Sequence, residues 1–204
     1  MKTQKLEIEK GERQKGAKPS SGAVSRLKER YNKEIAKTLR EEFKIKNPMA
    51  TPRLTKVVLN MGVGEISRSK ELKESLIRDL SVITGQLPTI KKAKVSIATF
   101  NLRAGMPVGL TVTLRGDRMY SFFDKLVSLV LPRLRDFKGV KTTSFDKGGS
   151  YTIGIAEHTL FPEIEIAKTP NPRSLEVTMV IKSSDKEKSK RLLELLGMPF
   201  EKIE

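Results

Sequence analysis

The chain has 204 residues, with 40 Lys plus Arg against 24 Asp plus Glu, one His and a net charge of +16. Cys is absent, which excludes a disulfide framework, a Cys/His zinc site and thiol catalysis. Hydrophobic residues at 37% suffice to bury a core, and the excess positive charge directs attention first to nucleic acid, then to anionic membrane or acidic protein.

No uncharged apolar run approaches the roughly 18 residues of a membrane helix. Met1 to Gly16 mixes Lys with Glu7, Glu9 and Glu12 and has no apolar stretch, so it reads as neither a secretory signal nor an acid-poor transit peptide. With no Cys in the chain, a cytoplasmic location follows as the expectation. Residues 1–22 are polar and Gly/Ser-containing, which predicts a flexible basic tail, and 23–204 are expected to form one α+β domain.

From Ser25 the residues Leu27, Tyr31, Ile35, Leu39 and Phe43 recur at every fourth position, predicting a helix capped by Ser25 and stopped near Asn47 and Pro48. Leu54, Val57, Val58 and Leu59 read as a strand that leaves into a turn at Asn60 to Gly64. Leu72, Leu76, Ile77, Leu80 and Ile83 form a second helical stripe ending at Gly85, a left-handed cap. A basic strand is expected around Val95 to Phe100, then a Gly/Pro-rich connection, then a strand with Leu110, Val112 and Leu114 on one face. Asp117 opens a helix carrying Met119, Phe122, Phe123, Leu126 and Val130, interrupted at Pro132. Strands follow at Tyr151 to Ile155 and through Leu175, Val177, Met179 and Ile181. A last helix has a Ser184/Glu187 capping box, and Gly197 is its stop. The order predicts an α+β fold with a mainly antiparallel sheet, helices packed on one face and a split βαβ, ferredoxin-like core. The other face of such a sheet is left free as a docking surface.

Charge is unevenly spread. Leu80 to Gly116, thirty-seven residues, holds Lys91, Lys92, Lys94, Arg103 and Arg115 and no Asp or Glu, where the chain's own acid frequency of 24 in 204 would place about four. The plain alternative is a strand-rich stretch in which acids are scarce. A cationic Gly/Pro loop at Arg103 favours a surface for an anion, because such a tip can follow an irregular phosphate backbone. Gln86, Thr89, Ser96, Thr111 and Thr113 suit 2′-hydroxyl and base-edge hydrogen bonds. Leu54 to Asn60 and Val108 to Arg115 contain no aromatic residue, which disfavours stacking of single-stranded bases and fits a folded RNA read by backbone and shape.

Enzyme signatures are missing. Gly62-Val63-Gly64 lacks the remainder of a phosphate-binding loop and reads as a turn. Glu163 and Glu165 share a face if extended and have the chemistry for a divalent cation, though a solvated strand edge explains them too. His158 has no partner at a catalytic spacing and reads as a surface or packing residue.

Several ordered blocks are more specific. Pro52-Arg53-Leu54-Thr55-Lys56-Val57-Val58-Leu59-Asn60-Met61-Gly62-Val63-Gly64-Glu65, Ile83-Thr84-Gly85-Gln86 with Lys91 to Ala98, and Val112-Thr113-Leu114-Arg115-Gly116-Asp117-Arg118-Met119-Tyr120 are three of them. Leu131-Pro132-Arg133 with Arg135-Asp136-Phe137, Phe161-Pro162-Glu163-Ile164 and Gly197-Met198-Pro199-Phe200 extend the pattern. Across about residues 25 to 200 the chain resembles the bacterial form of large-subunit ribosomal protein five, the universal family that binds 5S rRNA. The resemblance implies a non-enzymatic structural protein of the central protuberance, without cofactor or metal. Its implied partners are 5S rRNA, 23S rRNA, P-site tRNA, neighbouring proteins of the protuberance and a small-subunit head protein across a bridge.

By the same resemblance, 5S rRNA contacts fall on Asn60, Gln86, Thr113 and Arg115, with Lys91, Lys92, Lys94 and Ser96 as neighbours. The tRNA-contacting loop corresponds to Asn101, Leu102, Arg103, Ala104, Gly105, Met106 and Pro107. Two features depart from the pattern. Where the family reads Ser-Phe-Asp-Gly-Arg-Gly-Asn-Tyr, this chain has Ser144-Phe145-Asp146-Lys147-Gly148-Gly149-Ser150-Tyr151, with the cation moved by one position. The tail before Gly22 has no counterpart. A free-standing RNA chaperone and a metal-dependent nuclease using Glu163 and Glu165 are the alternatives.

Overall fold

The computed structural model describes residues 25–64, 70–135, 137–165, 172–183 and 185–201. The expected tail at 1–22, the cap residue Ser184, and Glu65 and Asp136 of the quoted blocks lie outside the described residues. Helices α1 (Arg26–Arg30) and α2 (Ala36–Glu42) flank a π-helical turn at Tyr31–Ile35. They are followed by strand β1 (Arg53–Gly62), helix α3 (Lys70–Thr84), strands β2 (Thr89–Lys92) and β3 (Pro107–Leu114) and helix α4 (Gly116–Lys125). Strands β4 (Tyr151–Ile155) and β5 (Leu175–Lys182) and helix α5 (Lys186–Leu195) complete the chain.

The strands form one five-stranded sheet in the order β2-β3-β1-β5-β4, and every neighbouring pair is antiparallel. Within it, β2-β3-β1-β5 has the ferredoxin-like split order, with β1 between the two strands that α4 separates in sequence, and β4 is added at the edge. Period-two alternation decides which face is covered. Val57, Leu59 and Met61 of β1, Leu110, Val112 and Leu114 of β3, and Leu175, Val177, Met179 and Ile181 of β5 are buried. They share a core with Leu76, Leu80 and Ile83 of α3, Met119, Phe122 and Phe123 of α4, and Leu192 and Leu193 of α5. Each such side chain contributes about 1.5–3 kcal/mol on leaving water. No described helix is long and apolar enough to cross a membrane.

Several expected boundaries move, each for a physical reason. The first helix ends at Glu42, because Lys44 takes a left-handed φ of 49°. The Ile45 N–H then bonds the Arg40 carbonyl (3.0 Å) and the Lys44 N–H the Glu41 carbonyl (3.4 Å), the pattern of a Schellman cap with Lys where Gly is usual. A strict four-residue apolar repeat also drifts by about 40° per step around an α-helix. The π-helical turn at Tyr31–Ile35 offsets that drift and keeps Leu27, Ile35 and Leu39 buried together. Ser25 stands at the N-cap without a side-chain cap bond.

Asn60 to Gly62 continue β1 instead of turning, since β3 pairs with all three and β5 pairs with Asn60. The second strand is Thr89–Lys92, not Val95 to Phe100. Val95 and Ile97 have strand-like alternation but no layer to bury against; their stretch leads through one isolated bridge, Ile97 to Leu102, and a turn at Ala98–Phe100. Helix α4 starts at Gly116 after Arg115, and Pro132 sits in a 3₁₀ turn (Leu131–Arg133) beyond a π-helical turn at Leu126–Val130. Asp185, ion-paired with Lys188 at 2.5 Å, takes the N-cap of α5 without a side-chain cap bond.

His158 is fully buried. Its Nδ1 accepts the Arg173 N–H at 3.0 Å, which leaves the hydrogen on Nε2, facing Asp79 Oδ2 of α3 at 3.4 Å. The imidazole therefore ties the segment after β4 to a helix, a packing role. Glu163 does not lie on an extended edge. It follows Phe161 in a turn, and its carboxylate meets the Lys125 ammonium at 2.5 Å.

Candidate nucleic-acid interface

The face of the sheet opposite the core is built by alternation alone. On β1 the outward residues are Lys56, Val58, Asn60 and Gly62; on β3 they include Thr111 and Thr113; on β5, Glu176 and Thr178. Register aligns these into rows. Thr89, Thr111, Asn60, Glu176 and Gly154 lie side by side across the five strands, and Thr113, Val58, Thr178 and Thr152 form the next row. Threonine hydroxyls, an amide and glycine make most of this face polar, with Glu176 and Lys56 as charged residues on it.

Its polar groups are fixed before any ligand arrives. Thr111 Oγ1 donates to Asn60 Oδ1 at 3.4 Å, and Asn60 Nδ2 donates to Glu176 Oε2 at 3.1 Å. Gln86 follows the left-handed Gly85 (φ 65°) that ends α3. The Thr84 hydroxyl accepts the Gln86 N–H at 3.3 Å, and Gln86 Nε2 reaches the Thr113 carbonyl at 3.5 Å. The residue just past α3 thus places its amide against the β3 backbone at Thr113.

The acid-free window maps onto one side of the molecule: the end of α3, edge strand β2, the segment joining it to β3, and β3 itself up to the start of α4. Thr89 and Lys91 alternate on the open side of β2, where Lys91 pairs with Gly109. Lys92 and Lys94 are also exposed. Arg115 is exposed two residues beyond Thr113, in extended backbone (φ −139°, ψ 163°), so it prolongs the Thr111, Thr113 series. Asn60, Gln86, Lys91, Thr113 and Arg115 are brought to one surface.

Ser96 and the 101–107 segment stand apart from that surface as an arm. Ala93 and Met106, and Ile97 and Leu102, are bonded across it at 2.8–3.1 Å, and Asn101 closes its tip in a left-handed conformation (φ 50°). Ser96 Oγ accepts the Ala104 N–H at 2.9 Å, so this hydroxyl braces the arm. Ser96, Ala98, Asn101, Leu102, Arg103 and Met106 line an open concavity of about 790 Å³. Phe100, 75% exposed, and Val95, 67% exposed, project from the same arm.

Among the described residues no group of three or more His, Asp or Glu side chains is placed to hold a metal ion. The departing loop at 146–150 is locked onto α5. Gly149 has φ 78°, and a Cβ there would come 2.5 Å from Ser189 Oγ, so only glycine fits. Lys147 is exposed beside it.

Residues 47–103 match the family of ribosomal protein L5, and residues 107–200 match the C-terminal part of the same ribosomal family. The chain belongs to the ribosomal protein L5 family. It is similar to the large ribosomal subunit protein uL5 of Chloroflexus aurantiacus, 51% identical over 175 residues that cover 86% of this chain and 97% of the relative. The corresponding protein of Thermoanaerobacter sp. strain X514 is 50% identical over 88% of this chain and 100% of its own length, and that of Dictyoglomus thermophilum 48% identical over 86% and 98%. As a member of this family the chain is a structural, RNA-binding protein of the large subunit of the cytoplasmic ribosome, acting in translation, and not an enzyme.

Glu176 is the outward residue that motif reading passes over. Its signal is present, since inward Leu175, Val177 and Met179 leave position 176 on the open face. Only the register shows that it meets Asn60.

Proposed function

We propose that this ribosomal protein holds 5S rRNA on the open sheet face and its cationic edge. Asn60, Gln86 and Thr113 supply amide and hydroxyl contacts to 2′-hydroxyls and base edges, while Lys91, Lys92, Lys94 and Arg115 neutralise phosphates; Ser96 keeps the neighbouring arm in shape. The observation that carries the reading is that the outward residues of the acid-free window, Thr89, Lys91, Thr111 and Thr113, lie on the open face of the sheet in register with Asn60.

The arm at 101–107, with Arg103 as its cation and an open concavity beside it, is the contact to P-site tRNA. The remaining surface meets 23S rRNA, neighbouring proteins of the central protuberance and a small-subunit head protein across a bridge. Residues 23–204 act as one rRNA-binding domain in this reading, with 1–22 as an appended basic tail.

Subunit fractionation tests it. The chain should stay on salt-washed large subunits at one copy each, and Asn60→Ala with Thr113→Ala should lower its retention together with that of 5S rRNA. Shortening the arm across 98–104 should leave incorporation intact and weaken P-site tRNA binding. A chain released from the subunits by moderate salt contradicts the proposal and favours a free RNA chaperone.

A further inference from the structure

The row Thr111, Asn60, Glu176 has features that phosphate contact does not explain. Glu176 places a carboxylate in the middle of the open face of a chain with net charge +16, and it forms no ion pair among the described residues. A carboxylate repels phosphate and only accepts hydrogen bonds. One of its oxygens, Oε2, takes the Asn60 amide at 3.1 Å, while no described residue donates to Oε1. Because Asn60 Oδ1 receives Thr111 Oγ1 at 3.4 Å, the amide is oriented from both sides, and its second N–H is left to point at a ligand.

Glycines border this row. Gly154 lies opposite Glu176 on β4, and Gly62 follows Asn60 by two positions on the same face. Neither has a left-handed φ, and a Cβ on either would meet nothing within 4 Å. Glycine weakens a strand, so its presence where neither backbone nor packing requires it marks close approach of something outside the chain. The result is a flat basin with a free carboxylate oxygen and a free amide hydrogen at its centre.

We infer that the Thr111–Asn60–Glu176 row in its glycine-bordered basin reads the 2-amino group of a guanine in the shallow minor groove of an RNA helix, with Glu176 as the acceptor. The inference rests on the open face being the 5S rRNA surface. The minor groove of A-form RNA is wide and shallow enough to admit a flat sheet, and the guanine 2-amino group is the base donor displayed there. In the next row, the paired hydroxyls of Thr178 and Thr152 (3.1 Å apart) suit ribose 2′-hydroxyls. A donor at Oε1 offsets the repulsion between Glu176 and the surrounding phosphates; 2′-hydroxyls offer one at every nucleotide, and the guanine 2-amino group is the donor that depends on the base, so the carboxylate favours RNA with a guanine at this place.

Interference mapping tests this. Bacterial 5S rRNA transcripts carrying inosine for guanosine at about one position per molecule lose single 2-amino groups, and bound and free fractions are compared for the wild-type chain and Glu176→Ala. The expected result is at least one position where inosine weakens wild-type binding about tenfold and has no effect on Glu176→Ala. Overall, Glu176→Ala should bind 5S rRNA more weakly and an unrelated folded RNA no more weakly than wild type, although it removes a negative charge. Glu176→Gln should behave similarly, since the amide loses the charge and one of the two acceptor oxygens. Gly154→Val, which should not lower thermal stability, should also weaken 5S rRNA binding and is the deciding variant if Glu176→Ala melts early. Identical interference patterns in the two chains, or a Gly154→Val chain with wild-type affinity, overturn the inference. Absence of any wild-type preference for 5S rRNA over tRNA overturns instead the reading on which it rests, and this inference with it.

Discussion

The helix layer and the β2–β3 edge carry charge in opposite ways. Among the helices, several cations have acids beside them: Arg26 meets Asp124 at 3.1 Å, Lys28 meets Asp117 at 2.9 Å, and Arg191 meets Glu42 at 2.7 Å. The Arg191 hydrogen bonds hold the Glu42 carboxyl below its usual range. Along the edge, Lys91, Lys92, Lys94 and Arg115 form no ion pair among the described residues. Exposed pairs contribute little to stability, so the difference concerns what each surface is available for. Pairing with nearby acids weakens the attraction of the helix layer for polyanions; the acid-free edge keeps its own undiminished. The contrast is sharpest within β1, where Leu59 is fully buried and the next residue, Asn60, is exposed on the other face.

Breaking the covered side should produce the largest effect. Leu59→Ala removes a side chain from the middle of the core and should cost about 2–5 kcal/mol in denaturant unfolding. Asn60→Ala should leave the unfolding midpoint nearly unchanged. On the edge, Arg115→Ala should weaken 5S rRNA binding by about 1–3 kcal/mol in a titration at fixed salt. Its folding should survive, because Arg115 makes no side-chain cap bond at the start of α4.

Replacing Lys91 and Lys92 together by Ala should flatten the dependence of log affinity on log salt by about one unit for each phosphate left unneutralised, without changing the preference among RNAs. The smallest effect lies in the helix layer. Burial first, and then the neighbouring Tyr31, pushes the Tyr120 hydroxyl up to about 12 from the usual 10.0. The folded chain holds a proton that the unfolded chain releases. This contribution to stability is complete below about pH 10 and is lost as pH rises towards 12. Thermal melts between these limits should show a smaller alkaline loss for Tyr120→Phe.

Much of the fold is readable from alternation and helical spacing, because both report burial and burial dominates element formation. Leu54 to Leu59 and Leu175 to Ile181 announce themselves as half-buried strands, and Leu76, Leu80 and Ile83 as a helix face. The arm imitates a strand in sequence because Val95 and Ile97 have β-strand character that is spent on no core. Asn60 imitates a turn residue because local propensity cannot see pairing on two sides. The cationic window is legible as composition. Contacts between strands distant in sequence are not: Glu176 and Asn60 are 116 residues apart, and their hydrogen bond depends on the register of β1 with β5.

The most direct test of the central claim is a salt series of binding titrations with 5S rRNA, using tRNA and an unrelated folded RNA of similar length as competitors. The account predicts that 5S rRNA is preferred by about a hundredfold and that the preference persists as salt rises, since shape and base-edge contacts are screened less than phosphate attraction. Equal binding of all three RNAs, released together by salt, would mean that only the +16 charge is acting and would contradict the account.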